Sequence, residues 1–221
     1  MKKRTIGDIF LLIVSLALVV VFVIKFAGPR FLRLYIRQGI GTCESIPNLC
    51  MAPTMIEAPE VDKSFADSLV RFKFPNLAIS APKRFRVIQQ RLSKTFYQTN
   101  HQQYKGDVIY FLYQPPDFFI DLYPHLRKEG VENDYIFVRR LMHANSNTVR
   151  NLVDTFFVIM KGIFTPSLGS ASQITMVEFK DKKLKGFISY ALDPKGNYFD
   201  CNVFDNEGHY FKVYIKDKSA T

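Results

Sequence analysis

An apolar run, Ile9–Ile24 (IFLLIVSLALVVVFVI), follows Met1-Lys2-Lys3-Arg4 and constrains this chain more than any other feature, because it bears on the solvent in which the rest must fold. Its 16 residues make a helix of ~24 Å, short of the ~30 Å hydrocarbon core of a bilayer. Taken from Ile6 to Phe26, the stretch has 21 residues and reaches ~31 Å. Asp8 then lies near the helix N-terminus and Lys25 is placed to snorkel. A cleaved signal peptide is the rival reading, since a basic start and a short apolar core are its marks too. The small-residue cleavage site is missing: cutting after Ala27 or Gly28 leaves Lys25 or Phe26 third from the cut. The expectation is a retained single-pass signal-anchor over residues 1–28, with Ile9, Leu12, Leu16, Val20 and Ile24 in lipid.

Basic residues flank the run on both sides, so the positive-inside rule nearly cancels. Cys43 and Cys50 (CESIPNLC) carry the argument on compartment. In an oxidising compartment they read as a disulfide closing a small loop, and in the cytosol as two idle thiols. The spacing is too long for a redox CxxC, and no partner ligands for zinc accompany it. The expected topology puts the amino terminus inside and the bulk of the chain outside, in an extracytoplasmic space such as a periplasm. Residues 29–61 then form an interfacial segment and linker, with Arg30, Arg33 and Arg37 alternating among Phe31, Leu32, Leu34, Tyr35 and Ile36.

The net charge is +10, divided as +6 over residues 1–40, −3 over 41–60 and +7 over the remainder. Ser68–Gly106 holds no Asp or Glu but eight Lys and Arg residues. Solvated outward positions on a sheet explain that stretch plainly. A surface that meets an anionic or acidic partner is the sharper reading, with Arg84, Arg86, Arg91 and Lys94 as contact candidates. No nucleic-acid signature accompanies it.

Residues 62–221 are long enough for one core and read as an α+β domain. Val70, Phe72 and Phe74 alternate with Arg71 and Lys73 as in a half-buried strand. Val108–Tyr113 and Phe118–Tyr123 read as a second strand pair, and Tyr135–Met142 as a helix. A long amphipathic helix over 147–164 carries Val149, Leu152, Val153, Phe156, Phe157, Met160, Ile163 and Phe164 on one stripe, expected to pack on the sheet. A four-strand antiparallel meander closes the chain: Ile174–Lys180, Lys185–Leu192, Tyr198–Phe204 and His209–Lys216, joined by segments rich in turn formers. Cys201 alternates inward with Phe199 and Val203 and reads as a small buried hydrophobe.

FKFPNLAISAPKRF and GFISYALDPKGNYFDCNVFDNEGHYFKVYI, with one long helix between them, resemble the opening strands and closing meander of the PsbP/Mog1-type α/β/α sandwich. That resemblance is one of pattern and implies a binding or assembly role.

No GxSxG, HExxH, P-loop or GxGxxG occurs, and the four histidines stand apart from one another and from the cysteines. No metal or cofactor is therefore expected. The best enzymatic candidate is Asp117 and Asp121, four apart and so on one face of the expected strand, with His125 following. Two such carboxylates could do acid–base work in a cleft. Polar outward positions opposite Phe118, Ile120 and Leu122 explain the same alternation. The leading expectation is a membrane-anchored interaction module that binds a protein partner, another membrane protein included, or the envelope surface. A hydrolase using Asp117, Asp121 and His125 is one alternative, and lipid or small-ligand binding between the long helix and the sheet is the other.

Overall fold

The computed structural model describes residues 14–21, 25, 27–57, 62–74, 77–82, 87–92, 97–104, 107–165, 174–193 and 196–217. Along the chain run α1 (Gly28–Gly39), β1 (Thr54–Glu57), α2 (Lys63–Ser68), β2 (Leu69–Phe74), β3 (Leu77–Pro82), β4 (Val87–Leu92), β5 (Tyr97–Tyr104) and β6 (Asp107–Gln114). Then come α3 (Phe118–Leu122), α4 (Asp134–His143), α5 (Leu152–Phe164), β7 (Ile174–Lys180), β8 (Leu184–Asp193), β9 (Gly196–Asp205) and β10 (Tyr210–Asp217). Short 3-10 turns occupy Pro47–Leu49, Pro124–Glu129 and Ser146–Thr148. Contacts divide the chain into two units, Met1–Cys50 with Ala144–Phe164, and Met51–His143 with Thr165–Thr221.

The expected membrane anchor is corrected here. No helix among the described residues is long and apolar enough to cross a membrane, so a transmembrane span, a signal-anchor and a single-pass location for the chain are not supported. Residues 14–21 are helical, with Leu16 and Val20 exposed. The next helix, α1, starts on Gly28-Pro29 and carries Arg30, Arg33 and Arg37, and its buried residue, Ile36, serves a protein core. Ile9, Leu12 and Ile24 lie outside the described residues.

In the first unit, Ile36 of α1, Leu49, Val149 and Val158 of α5 form a buried cluster, with Leu32, Ile40, Ile46, Cys50 and Ala144 against it. Gly162 brings α5 close to its neighbours: a Cβ there would stand 3.4 Å from Ile40 Cγ2 and 3.5 Å from Leu49 Cδ2. Asn151 caps α5 by accepting from Asp154 N at 2.8 Å, and Asp154 accepts from Arg150 N, one residue before the cap, at 2.9 Å. The helix accordingly starts at Leu152 rather than at 147, and residues 146–148 make a 3-10 turn whose N-cap is Asn145. Through Val158 and Gly162, α5 packs on α1 and the 47–49 turn, while Leu152 and Ile163 of the expected stripe are exposed.

The second unit is built on an eight-stranded sheet in the order β1-β7-β8-β9-β10-β6-β5-β4, with β2 and β3 paired separately. β1 runs parallel to β7, and the other pairs in the sheet are antiparallel. The closing meander is present as β7 to β10. Directly paired residues point to one face of a sheet, so the register Ile188↔Cys201↔Val213↔Phe111 defines an apolar face. On that face Ile109 and Phe111 are buried against Val213 and Ile215.

The opposite face carries the helices. Tyr135 of α4 stacks on Phe187 at 5.8 Å and meets Phe204 edge-on at 5.6 Å. Phe119 of α3 meets Tyr210 edge-on at 5.1 Å and stacks on Phe137 at 5.4 Å. Residues 118–122 are thus helical, which corrects the expected strand. Phe119 and Ile120 are neighbours and both buried, as a helical turn permits and a half-exposed strand does not.

Candidate functional site

The turn between β9 and β10, Asp205-Asn206-Glu207-Gly208-His209, is locked by its first residue. Asp205 Oδ1 accepts from Glu207 N at 3.0 Å and from His209 N at 2.9 Å. Gly208 takes φ +90, a conformation open to glycine at little cost. His209 Nδ1 donates to Asp205 Oδ2 at 2.8 Å, and Glu207 Oε2 stands 3.7 Å from the same nitrogen. Asn206 Nδ2 donates to Lys182 O at 3.0 Å, which ties this turn to the β7–β8 turn and brings Lys183 to the same place.

These residues ring a cleft of about 700 Å³ with an aromatic floor. Tyr113 and Phe211 are register partners on β6 and β10 and so share a face. Their rings lie 5.4 Å apart, tilted 44°, and the His209 ring stands 5.7 Å from Tyr113. The ligand-capable atoms of Asp205, Glu207 and His209 all lie within 4.8 Å of one another. One carboxylate is committed to the turn, whereas that of Glu207 is largely exposed, at 81%.

Among the described residues, two other polar clusters centre on buried carboxylates, Glu178 and Asp200. Glu178 on β7, with a side chain 3% exposed, receives Tyr135 Oη at 2.8 Å, Arg139 Nε at 2.9 Å and His143 Nε2 at 2.9 Å. The three donors are four residues apart and occupy one face of α4. Burial pushes the Glu178 carboxyl up, but the hydrogen bonds from His143, Tyr135 and Arg139 outweigh it and leave the group below the usual carboxylate range. Tyr135 is pushed up to about 12 by burial and by the neighbouring carboxylate. With both oxygens engaged, Glu178 fastens α4 to the sheet. On β9 and β10, Asp200 pairs with Lys212 at 3.2 Å, and burial raises its carboxyl against the attraction of that lysine. In the first unit, Lys161 is fully buried; its Nζ donates to Ala144 O at 2.9 Å, and burial lowers it to about 8.

The chain matches no protein-family model, no curated protein and no solved structure.

Of the residues expected from sequence to do acid–base work, Asp117 and Asp121 meet at Arg127 on an exposed surface. Arg127 Nη2 lies 3.1 Å from Asp121 Oδ1 and 3.8 Å from Asp117 Oδ2, and all three side chains are 45% exposed or more. His125 is exposed, its ring edge-on to Tyr123 at 6.4 Å. Asp134 is the buried carboxylate of this stretch, and it accepts from Phe119 N and Ile120 N, both at 2.9 Å, to cap α3. Arg84, Arg86 and Lys94 lie outside the described residues, and the backbone of Arg91 pairs with Gln98 between β4 and β5. Cys43 and Cys50 form a disulfide with Cα atoms 5.5 Å apart. Cys201 is half-buried, and burial together with Asp200 pushes its thiol up to about 12.

The cleft residues escaped the sequence reading. DNEGH reads as turn chemistry, and Tyr113 and Phe211 as alternating strand residues. The one signal that could have marked them is Asp, Glu and His at i, i+2 and i+4 across a hairpin turn.

Proposed function

We propose that the protein is a protein-binding module whose second unit takes a cationic side chain of a partner into the cleft at the β9–β10 turn. The observation that supports this is the convergence there of two tilted aromatic rings with the carboxylates of Asp205 and Glu207. A ring face attracts a cation by about 0.5–2 kcal/mol, and a guanidinium also forms charge-assisted hydrogen bonds with an open carboxylate. Glu207 is the more open carboxylate, since Asp205 is spent on the turn. Lys183 on the facing rim offsets part of the negative charge and favours a planar guanidinium, which can stack, over a compact ammonium. The patterned resemblance to PsbP/Mog1-type proteins, mostly binding and assembly factors, accords with this reading.

The chain contains no Trp, so a short peptide with one tryptophan between two arginines reports its own binding by fluorescence. Saturable binding is expected, weakened about tenfold by Tyr113→Ala and by Glu207→Gln, each substitution removing about 1–2 kcal/mol of contact. Equal binding of the same peptide with glutamates in place of arginines, or binding indifferent to both substitutions, overturns the proposal. The proximity of the Asp205, Glu207 and His209 ligand atoms favours a second reading, a divalent cation. It ranks lower because Asp205 already serves two backbone N–H groups and the His209 ring. Titration with zinc ion alone, read at the His209 ring resonances, separates the two: stoichiometric binding that excludes the arginine peptide would favour the metal.

A further inference from the structure

The disulfide of the first unit is surrounded by hydrogen-bond donors. Ser146, only 5% exposed, stands with its Oγ 3.0 Å from Cys50 Sγ and 3.3 Å from Cys43 Sγ. A disulfide sulfur carries no hydrogen, so the hydroxyl is the donor. Asn147 Nδ2 donates to the same two atoms, at 3.3 Å to Cys43 Sγ and 3.6 Å to Cys50 Sγ. Asn145 ties one donor to the disulfide: its Oδ1 accepts from Asn147 N at 2.9 Å and its Nδ2 donates to Cys50 O at 3.0 Å. The donors are therefore built into the segment that joins Ala144 to α5.

A disulfide sulfur is a poor acceptor and a thiolate a strong one. Donors aimed at these atoms contribute little while the bond is closed and much more once a sulfur carries charge. That difference lowers the barrier to breaking the bond, because the leaving sulfur departs as a thiolate. Charged groups near the segment act in the same sense. Arg33 donates to Val149 O and Lys161 to Ala144 O, one on each side of residues 145–148. Glu44, which is exposed and adjacent to Cys43, opposes them. Both cysteines are half-buried, and Cys50 is the one packed against the apolar cluster, which makes Cys43 the better candidate for attack.

We propose that Cys43–Cys50 is a thiol–disulfide exchange centre whose substrate is a dithiol of a peptide or protein, with Ser146 and Asn147 holding the leaving sulfur. A substrate thiolate attacks Cys43 Sγ and forms a mixed disulfide. The Cys43–Cys50 bond breaks, and its electron pair goes to Cys50 Sγ, which accepts from Ser146 Oγ and Asn147 Nδ2. The second substrate thiolate then attacks the substrate sulfur of the mixed disulfide and releases Cys43. The substrate leaves with a disulfide, and the two cysteines carry the two electrons and, after protonation, the two protons. The long CESIPNLC spacing is no obstacle, because the fold and not the sequence brings the sulfurs together.

The test uses the full chain in a Cys201→Ala background, so that alkylation counts only this pair. Dithiothreitol serves as the dithiol probe, and thiol pKa values of the reduced protein follow from the pH dependence of iodoacetamide alkylation. Ser146→Ala with Asn147→Ala is expected to slow reduction by dithiothreitol about tenfold or more and to raise the lower thiol pKa by about one unit, the scale of lost hydrogen bonds to a charged atom. Ser146→Thr keeps the hydroxyl and restores most of the rate. Asn147 is exposed, so Asn147→Ala alone decides the matter should the double variant fail to fold, with a severalfold slowing expected. Rates and thiol pKa values unchanged by these substitutions overturn the proposal and leave the disulfide a structural staple.

Discussion

Replacing Lys161 with methionine removes a charge that the first unit holds out of water. The side chain is fully buried and its ammonium is lowered from 10.5 to about 8 by burial. At about 1.4 kcal/mol per pKa unit, holding it protonated near neutral pH costs about 3 kcal/mol relative to the unfolded chain. The hydrogen bond to Ala144 O returns about 1 kcal/mol and is lost in the variant. Lys161→Met should therefore stabilise the protein by about 2 kcal/mol near pH 7. The sign depends on pH in a defined way. Between about pH 8 and pH 10.5 the unfolded chain binds the proton and the folded one does not, so wild-type stability rises with pH across that window. The advantage of the variant should shrink on the same path and vanish near pH 9.5. Urea unfolding of both proteins followed by circular dichroism, with the disulfide closed, measures the difference. A variant less stable at neutral pH, or a difference that stays constant to about pH 9.5, would refute the reasoning.

Two further perturbations probe the second unit. Glu178→Ala leaves Tyr135, Arg139 and His143 without their shared acceptor and should cost about 3 kcal/mol. Because the folded carboxyl is held below its ordinary value, its contribution is present above the unfolded pKa and lost as pH falls through the folded one; the variant should lose that part of the acid limb, and an unaltered acid profile in a urea series would count against the fastening role. Gly186→Ala drives a Cβ into the carbonyl oxygen of Asn202 across the β8–β9 pair. A loss of about 2 kcal/mol or more should appear as a lower melting temperature, and an unchanged one would mean that the strands separate there freely.

How much of this could be read beforehand depended on whether the deciding interaction was local. The meander was legible because Asp193-Pro194-Lys195-Gly196-Asn197 and Asp205-Asn206-Glu207-Gly208 announce their own turns between alternating strands. Phe118–Tyr123 misled for the opposite reason. Its alternation fits a strand, but Asp134, from beyond the next turn, caps residues 119 and 120 and makes them helical. The pattern of α5 announced an amphipathic helix but not which side chains are covered: Leu152 and Ile163 of the expected stripe are exposed, and Val158, outside it, is buried. Hydropathy suggested a membrane span, yet no helix among the described residues is long and apolar enough to cross a membrane. The cleft was hidden because its floor joins Tyr113 to Phe211, which meet only through strand register.

The border of the sheet at β1 has a consequence for the order of assembly. Thr54–Glu57 lies parallel to Val177–Lys180, and a parallel neighbour cannot be reached by a tight hairpin. During synthesis this short strand must wait, without its ladder, until β7 has emerged far downstream. Until the two meet, the outer rim of β7, the strand that carries Glu178, offers free amide and carbonyl groups to any other extended chain. A truncation that removes residues 54–57 would make that interval permanent, leaving the rim of β7 at Val177–Lys180 as a seed for self-association.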